Sequence, residues 1–282
     1  MIVRSATTRR IENIATYAVA LGFAAFCVLP LLWLLLTSLK PESDIITSEG
    51  VVYIPSKLIL SNFVAIWQQT DFPVLFRNSL VTTMVTVALS LTAGTIAAYA
   101  FSREYFAGRQ SMLLGLLLLR MFPAVVKIIP LFIIMRGLGL LDTRVGLGIA
   151  YTSFLLPLFI WLMKGFFDAI PRDLEDAARI DGCTRLGALW RIVLPVARNG
   201  IMATTIFIGI AAWNEFIFAL ILTTSAGSRT WPVGLQLMVG EFQLPWGMLA
   251  AGGVLSIIPV VILFAIVQRS MLHGLTEGAT KG

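Results

Sequence analysis

Six stretches of about twenty residues, nearly free of charge, dominate this sequence: 17–36, 78–101, 112–135, 145–163, 200–222 and 247–267. Each is long enough to cross an apolar layer about 30 Å thick as a helix. Helix is required there, because a backbone polar group in lipid must find its partner inside the chain. Composition agrees. Of the 282 residues 58% are apolar and 13% charged, and mean hydropathy is +0.89. A soluble domain carries about a quarter charged residues, and a chain this apolar could not cover its own surface with polar groups. The expectation is an all-α, polytopic membrane protein with six transmembrane helices and a single membrane domain over residues 1–282.

The formal net charge of +6 comes from short basic clusters between the apolar runs. No basic stripe with interleaved aromatics is present, so a nucleic-acid partner is not expected. The clusters read as topology signals. With the N-terminus inside, residues 1–16, 102–111, 164–199 and 268–282 carry thirteen Lys and Arg, against six in the opposite segments. That asymmetry places both termini and the 164–199 segment in the cytoplasm. The first apolar run is too long for a signal-peptide core and reads as an uncleaved span. Residues 37–76 and 223–246 read as external segments, and 136–144 as a turn.

Catalytic chemistry has little to draw on. Cys27 and Cys183 lie far apart and His273 is the one histidine, so neither a metal-ligand spacing nor a histidine-based triad can be built. No G-x-x-x-x-G-K-[ST] motif occurs, and no Gly-Lys pair at all. The chain therefore lacks the phosphate-cradling loop of an ATPase.

The segment GFFDAIPRDLEDAARIDGCTRLGALWRIVLP, 165–195, is the most informative. Asp173 can cap a helix whose first turn carries Glu175 and Asp176, signs that the helix dipole favours. Leu174, Ala177, Ala178 and Asp181 share one face by their i, i+3, i+4, i+7 spacing. Gly182 provides a stop that tolerates positive φ. Thr184 can cap a second short helix carrying Leu186, Leu189, Trp190 and Val193, which Pro195 ends. The product is a helix–Gly–helix bend with small residues at its apex. Residues alone allow two readings: a docking element for another protein, or an amphipathic hairpin lying on the membrane.

This bend resembles the EAA motif of ABC-importer permeases. Asp176-Ala177-Ala178 stands at the Glu-Ala-Ala positions, Asp181-Gly182 at the Asp-Gly, and Leu194-Pro195 at the closing Leu-Pro. Asp176 replaces the usual Glu and Cys183 the usual Ala, both conservative in size. The likeness extends to PLLWLLLTSLKP (30–41), NSL (78–80), AYAFSR (98–103), FP (122–123), IPL (129–131), GLGLLDT (137–143), WNEFIFAL (213–220) and HGLTEGATKG (273–282). Together these are similar to the carbohydrate-uptake permeases of the maltose-G-like type.

The resemblance implies a non-catalytic subunit of an ATP-driven, binding-protein-dependent sugar importer. It implies partners: a second permease, two ATPase subunits that hold the ATP and Mg, an extracytoplasmic solute-binding protein, and the sugar. Glu175, Asp176, Arg179 and Asp181 would hold the ATPase surface, with Ala177, Ala178 and Gly182 allowing close approach. For the solute pathway it marks the region of Asn214 and Glu215; neighbouring Trp213 could stack on a sugar face or equally serve as a packing residue. Arg120 and Lys127, seven residues apart in the third run, would share one helix face, and Glu215 could pair with either. Charges at bilayer depth are costly and either line a pathway or lock helices together. A permease for glycerol phosphate or another non-sugar solute is the alternative within the same class, and the two cations would suit it.

Overall fold

The computed structural model describes residues 6–46, 50–240 and 245–279, with backbone alone at 6–9, 11, 267 and 269–279. Arg4, Lys281 and the end of the 273–282 motif lie outside them. The described residues form thirteen helices and no strand element. In chain order these are α1 (Ala6–Ser38), α2 (Ser61–Gln69), α3 (Phe72–Arg103), α4 (Arg109–Met121), α5 (Ala124–Gly137), α6 (Arg144–Asp168) and α7 (Asp173–Ile180). There follow α8 (Arg185–Ala188), α9 (Leu194–Val196), α10 (Arg198–Trp213), α11 (Ile217–Leu222), α12 (Trp231–Leu237) and α13 (Trp246–Ala279). A 3-10 turn spans Glu42–Asp44, and a π-helical turn, Leu189–Val193, joins α8 to α9.

Among the described residues, four helical stretches are long and apolar enough to cross a membrane: Glu12–Ser38, Phe72–Arg103, Arg144–Asp168 and Trp246–Ile266. Two bent pairs raise the number to six if each pair is one span. The expected third span is one of these. It breaks at Phe122–Pro123, and α4 and α5 meet at 102°. Proline removes an N–H and pushes the residue before it out of the helical region, which is where Phe122 lies, at φ −65° and ψ 131°. The expected fifth span is also interrupted, because α10 stops at Trp213 and α11 begins at Ile217. The second starts earlier than its apolar run, since Pro73 sits at the first helical positions of α3, where its missing N–H costs nothing.

The chain divides into two units. The first comprises residues 1–70 and 238–257. Its tie points are polar. Glu42 accepts the backbone N–H groups of Trp246 and Gly247, 2.9 and 3.1 Å away, and so caps α13 across some two hundred residues of sequence. Asn62 donates to the carbonyls of Ser38 and Lys40. Lys40 is buried, with its ammonium 4.3 Å from the Trp33 ring and donating to the Val52 carbonyl.

The second unit comprises residues 71–237 and 258–282 and holds the apolar core. Its centre is the pairing of α3 with α6, joined by α10. Tyr151, Phe159, Met163 and Phe167 of α6 are buried almost completely. Close approach depends on small residues, as lipid-soluble helices require. Gly94 lies directly beneath the Phe159 ring, and Gly148 against Val85. Thr86 donates its hydroxyl to the Gly148 carbonyl at 3.2 Å, a polar tie across the seam.

Candidate functional site

The helix–Gly–helix bend forms. α7 begins at Asp173, with Arg172 at the cap position and no side-chain cap. Asp173 therefore does not cap, contrary to expectation. It joins Glu175 and Asp176 in the first turn, where their charge still faces the free N–H groups. At the other end Gly182 takes φ +90°. Cys183 donates to the Ala178 carbonyl at 2.9 Å and Gly182 to that of Arg179 at 3.1 Å, the two bonds of a Schellman closure. Thr184 then caps α8, its hydroxyl accepting the Gly187 N–H at 3.0 Å. Pro195 does not stop the second helix. The π turn widens the ladder ahead of it, helix resumes through Val196, and the direction changes by 80° between Val196 and Arg198.

Which faces are covered differs from the spacing rule. Of Leu174, Ala177, Ala178 and Asp181, only Ala178 is buried. Leu189 and Val193 point inward, while Leu186 and Trp190 are exposed and Ile180 is 87% exposed. Asp176, Ala177, Arg179, Asp181 and Gly182 are also exposed. Asp176 and Arg179 form a loose surface pair at 3.7 Å. Large apolar groups ringed by charge mark a surface suited to a partner.

Glu175 is the principal correction. Expected among the docking charges, it is 6% exposed and turned inward. Arg103 Nε donates to one carboxylate oxygen at 2.5 Å and the Tyr99 hydroxyl to the other at 2.7 Å. Arg103 also donates to the Ile170 carbonyl at 3.0 Å. Around this pair Ser102 donates to Asp168, Arg172 to the Ser102 carbonyl, and Arg185 to Glu104 at 2.5 Å. Tyr99, Arg103, Glu104, Arg172, Glu175 and Arg185 line a cavity of about 340 Å³ at the root of the bend. In the sequence Arg103 reads as a topology charge and as the last residue of AYAFSR. The one available signal was that place, directly after a span.

The expected pathway residues do not converge. Arg120 lies near the end of α4 and Lys127 in the first turn of α5, on opposite sides of the break, so they share no helix face. Lys127 stands 5.9 Å from the centre of the Phe154 ring. Glu215 pairs with neither cation. Its two oxygens accept the N–H groups of Phe218 and Ala219, at 3.0 and 3.2 Å, capping α11 after the interruption. Trp213 is buried, edge-on to Phe76 at 5.2 Å, so it packs and offers no free face in this conformation. Asn214 stands exposed, its amide donating to the Ile210 carbonyl.

A second polar centre went unread in the sequence. Asp142 is the one non-glycine residue with positive φ (+56°) among those described. Its carboxylate accepts the N–H groups of Thr224 and Ser225, at 2.8 and 2.9 Å, and the Ser228 hydroxyl. Asn78 donates to the carbonyls of Ala226 and Arg229, and Ser79 accepts the Trp231 N–H. The 223–231 loop is thus clasped from two sides. The signal was present, since aspartate is among the few residues that tolerate the left-handed region.

Burial opposes the charge on Asp142, but the three donors outweigh it and hold its pKa well below the usual carboxylate range. A folded pKa below the unfolded value of about 3.9 stabilises the fold above that pH, and the gain disappears as pH falls through the lowered folded value. Wild type should therefore exceed Asp142→Asn in thermal midpoint by a constant margin from pH 7 to about 5, and the margin should shrink on further acidification below about 4. A margin independent of pH down to 3 would show that the carboxylate charge is not what holds the loop.

A chain of apolar helices among whose described residues four to six stretches can cross a bilayer, carrying a closed helical bend with an exposed charged and apolar apex, defines an integral membrane protein. Residues 90–273 match the family described as binding-protein-dependent transport system inner membrane component, and the chain belongs to that family. It is one of ABC-transporter permease subunits, which are not themselves catalytic. The sulfoquinovosyl glycerol transport system permease protein SmoH of Agrobacterium fabrum is 38% identical, over 90% of this chain and 88% of its own. The trehalose transport system permease protein SugB of Mycobacterium tuberculosis is 37% identical, over 95% and 98%. Among solved structures, a chain from a bacterial ABC transporter involved in the import of the acidic polysaccharide alginate superposes with a TM-score of 0.79, at 26% identity, over 95% of this chain and 99% of that one.

Proposed function

We propose that this permease subunit forms half of the translocation pathway for a di- or oligosaccharide and receives the force of ATP hydrolysis through the bend at 173–196. The observation that carries the reading is the exposed apex: Asp176, Ala177, Arg179, Asp181 and Gly182, flanked by Leu174, Ile180, Leu186 and Trp190, all open to a partner. The excess of Lys and Arg on the same side of the chain supports a cytoplasmic position for it, with both termini inside and residues 112–135 and 200–222 each counted as one of six crossings. The partners are then a second permease, two ATPase subunits carrying ATP and Mg, and an extracytoplasmic binding protein. Residues 1–282 act as one permease domain, with the coupling loop at 164–199. Sulfoquinovosyl glycerol and trehalose, for which the two relatives are named, and alginate in the solved transporter are all carbohydrates, which favours sugar over glycerol phosphate. Asn214, open beside the break between α10 and α11, is the best-placed pathway residue of those expected.

Asp181→Arg combined with Ile180→Asp should remove the ATPase subunits from the purified complex and abolish uptake, while the permease pair remains in the membrane. ATPase still co-purifying with uptake intact would end the docking reading. Substrate class is tested separately, by uptake with purified binding protein and competing ligands. Competition by neutral oligosaccharides is expected. If only phosphorylated compounds compete, the sugar assignment fails.

A further inference from the structure

We propose that Glu175 makes no contact with the ATPase and is instead the positioning residue that fastens the docking bend to α3, with Arg103 and Tyr99. The proposal rests on the docking reading above and assigns one of its acidic residues a different task.

Three observations carry it. First, both carboxylate oxygens are occupied within the chain, by Arg103 Nε and the Tyr99 hydroxyl. Second, the side chains of Arg103 and Glu175 are each only 8% exposed, whereas neighbouring Asp176 and Arg179 are 64% and 50% exposed. A surface pair like the latter can exchange partners freely, but a buried pair cannot, because either charge left alone would stand desolvated. Third, the end of α3 reaches every part of the bend's root. Ser102 bonds Asp168 at the end of α6, Arg103 bonds Ile170 and Glu175, and Glu104 bonds Arg185 at the start of α8. α3 is also the helix most extensively packed on α6 and α10. A displacement of α7 therefore cannot be absorbed at its root. It moves α3, and through α3 the membrane core. The two adjacent acids divide the work: Asp176 faces outward to the partner, and Glu175 faces inward.

The test uses the complete transporter in proteoliposomes, reading solute uptake, ATP hydrolysis and co-purification of the ATPase. Glu175→Gln should keep the ATPase bound and hydrolysing but lower uptake per ATP at least tenfold. The charge exchange Arg103→Glu with Glu175→Arg should recover a substantial part of that ratio, while Arg103→Glu alone should not. Tyr99→Phe removes one hydroxyl from a residue already packed against Phe167, so folding is preserved and a smaller fall of about two- to fivefold is expected. Loss of the ATPase from Glu175→Gln, as from the double variant Asp181→Arg with Ile180→Asp, would mean that Glu175 is a docking contact and overturn the proposal. Wild-type uptake per ATP in Tyr99→Phe or Glu175→Gln would overturn it equally. Failure of the docking reading itself looks different: the double variant Asp181→Arg with Ile180→Asp would then keep both its ATPase and its uptake.

Discussion

Replacing Gly94 by valine is expected to cost the α3–α6 bundle about 1–3 kcal/mol, and more if the seam cannot part. A Cβ built at Gly94 falls 2.3 Å from one ring carbon of Phe159 and 2.9 Å from the next. Phe159 is 1% exposed and sits inside the main apolar cluster, so the ring has no vacant space to enter. Relief must come from separating two helices that share the largest packed surface of the unit. Gly148, on the other helix, meets Val85 at 2.6 Å in the same way, and valine there should act similarly. Gly115 supplies the control. It is also helical, but nothing lies within 4 Å of a Cβ at that position. Valine at 115 should be neutral or slightly stabilising, because glycine is the poorer helix former by a few tenths of a kcal/mol. The measurement is the thermal midpoint of the purified protein in detergent. Equal shifts for Gly94→Val and Gly115→Val would show that helix propensity, and not close packing, controls these sites.

The second large effect is expected at Asn78. Its side chain is fully buried, and its amide nitrogen serves the carbonyls of Ala226 and Arg229, each 2.9 Å away. Asn78→Leu keeps the volume and removes both donors. Each of these part-buried carbonyls left without a partner costs about 1 kcal/mol or more unless the loop moves to find water. The loop is therefore expected to open, since the clasp at Asp142 holds only its other side. Amide protection across 223–231 should fall by one to two orders of magnitude, with the α3–α6 core unchanged. Ser79→Ala, which leaves the Trp231 N–H without its acceptor, should do the same to a lesser degree. Protection of the core lost in step with the loop would mean that Asn78 supports α3 and not the loop.

Several features were legible in the residues because they depend on near neighbours in sequence. The apolar runs gave the helical membrane class, since lipid leaves the backbone no other solution. Gly182 as helix stop and Thr184 as cap follow from local chemistry, and both stand as read. The breaks at Phe122–Pro123 and after Trp213 were harder. Proline was visible at 123, yet prolines 30, 157 and 259 sit inside continuous helices of the same protein. Whether a proline kinks, breaks or is tolerated depends on which neighbour supplies the missing bond.

Glu175 marks the boundary most clearly. α7 is only eight residues long, so periodicity gives the angular positions of its side chains but not which of them meets another helix. An acid in an EAA-like motif reads as a docking charge until Arg103 and Tyr99 arrive from more than seventy residues away. Asp142 is the same case, since its partners lie more than eighty residues on. The apolar runs, the local caps and the family likeness thus determine what kind of protein this is. Only the tertiary structure decides which charges face a partner and which face inward, because the energy of a charge is fixed by whatever the fold brings within a few ångströms of it.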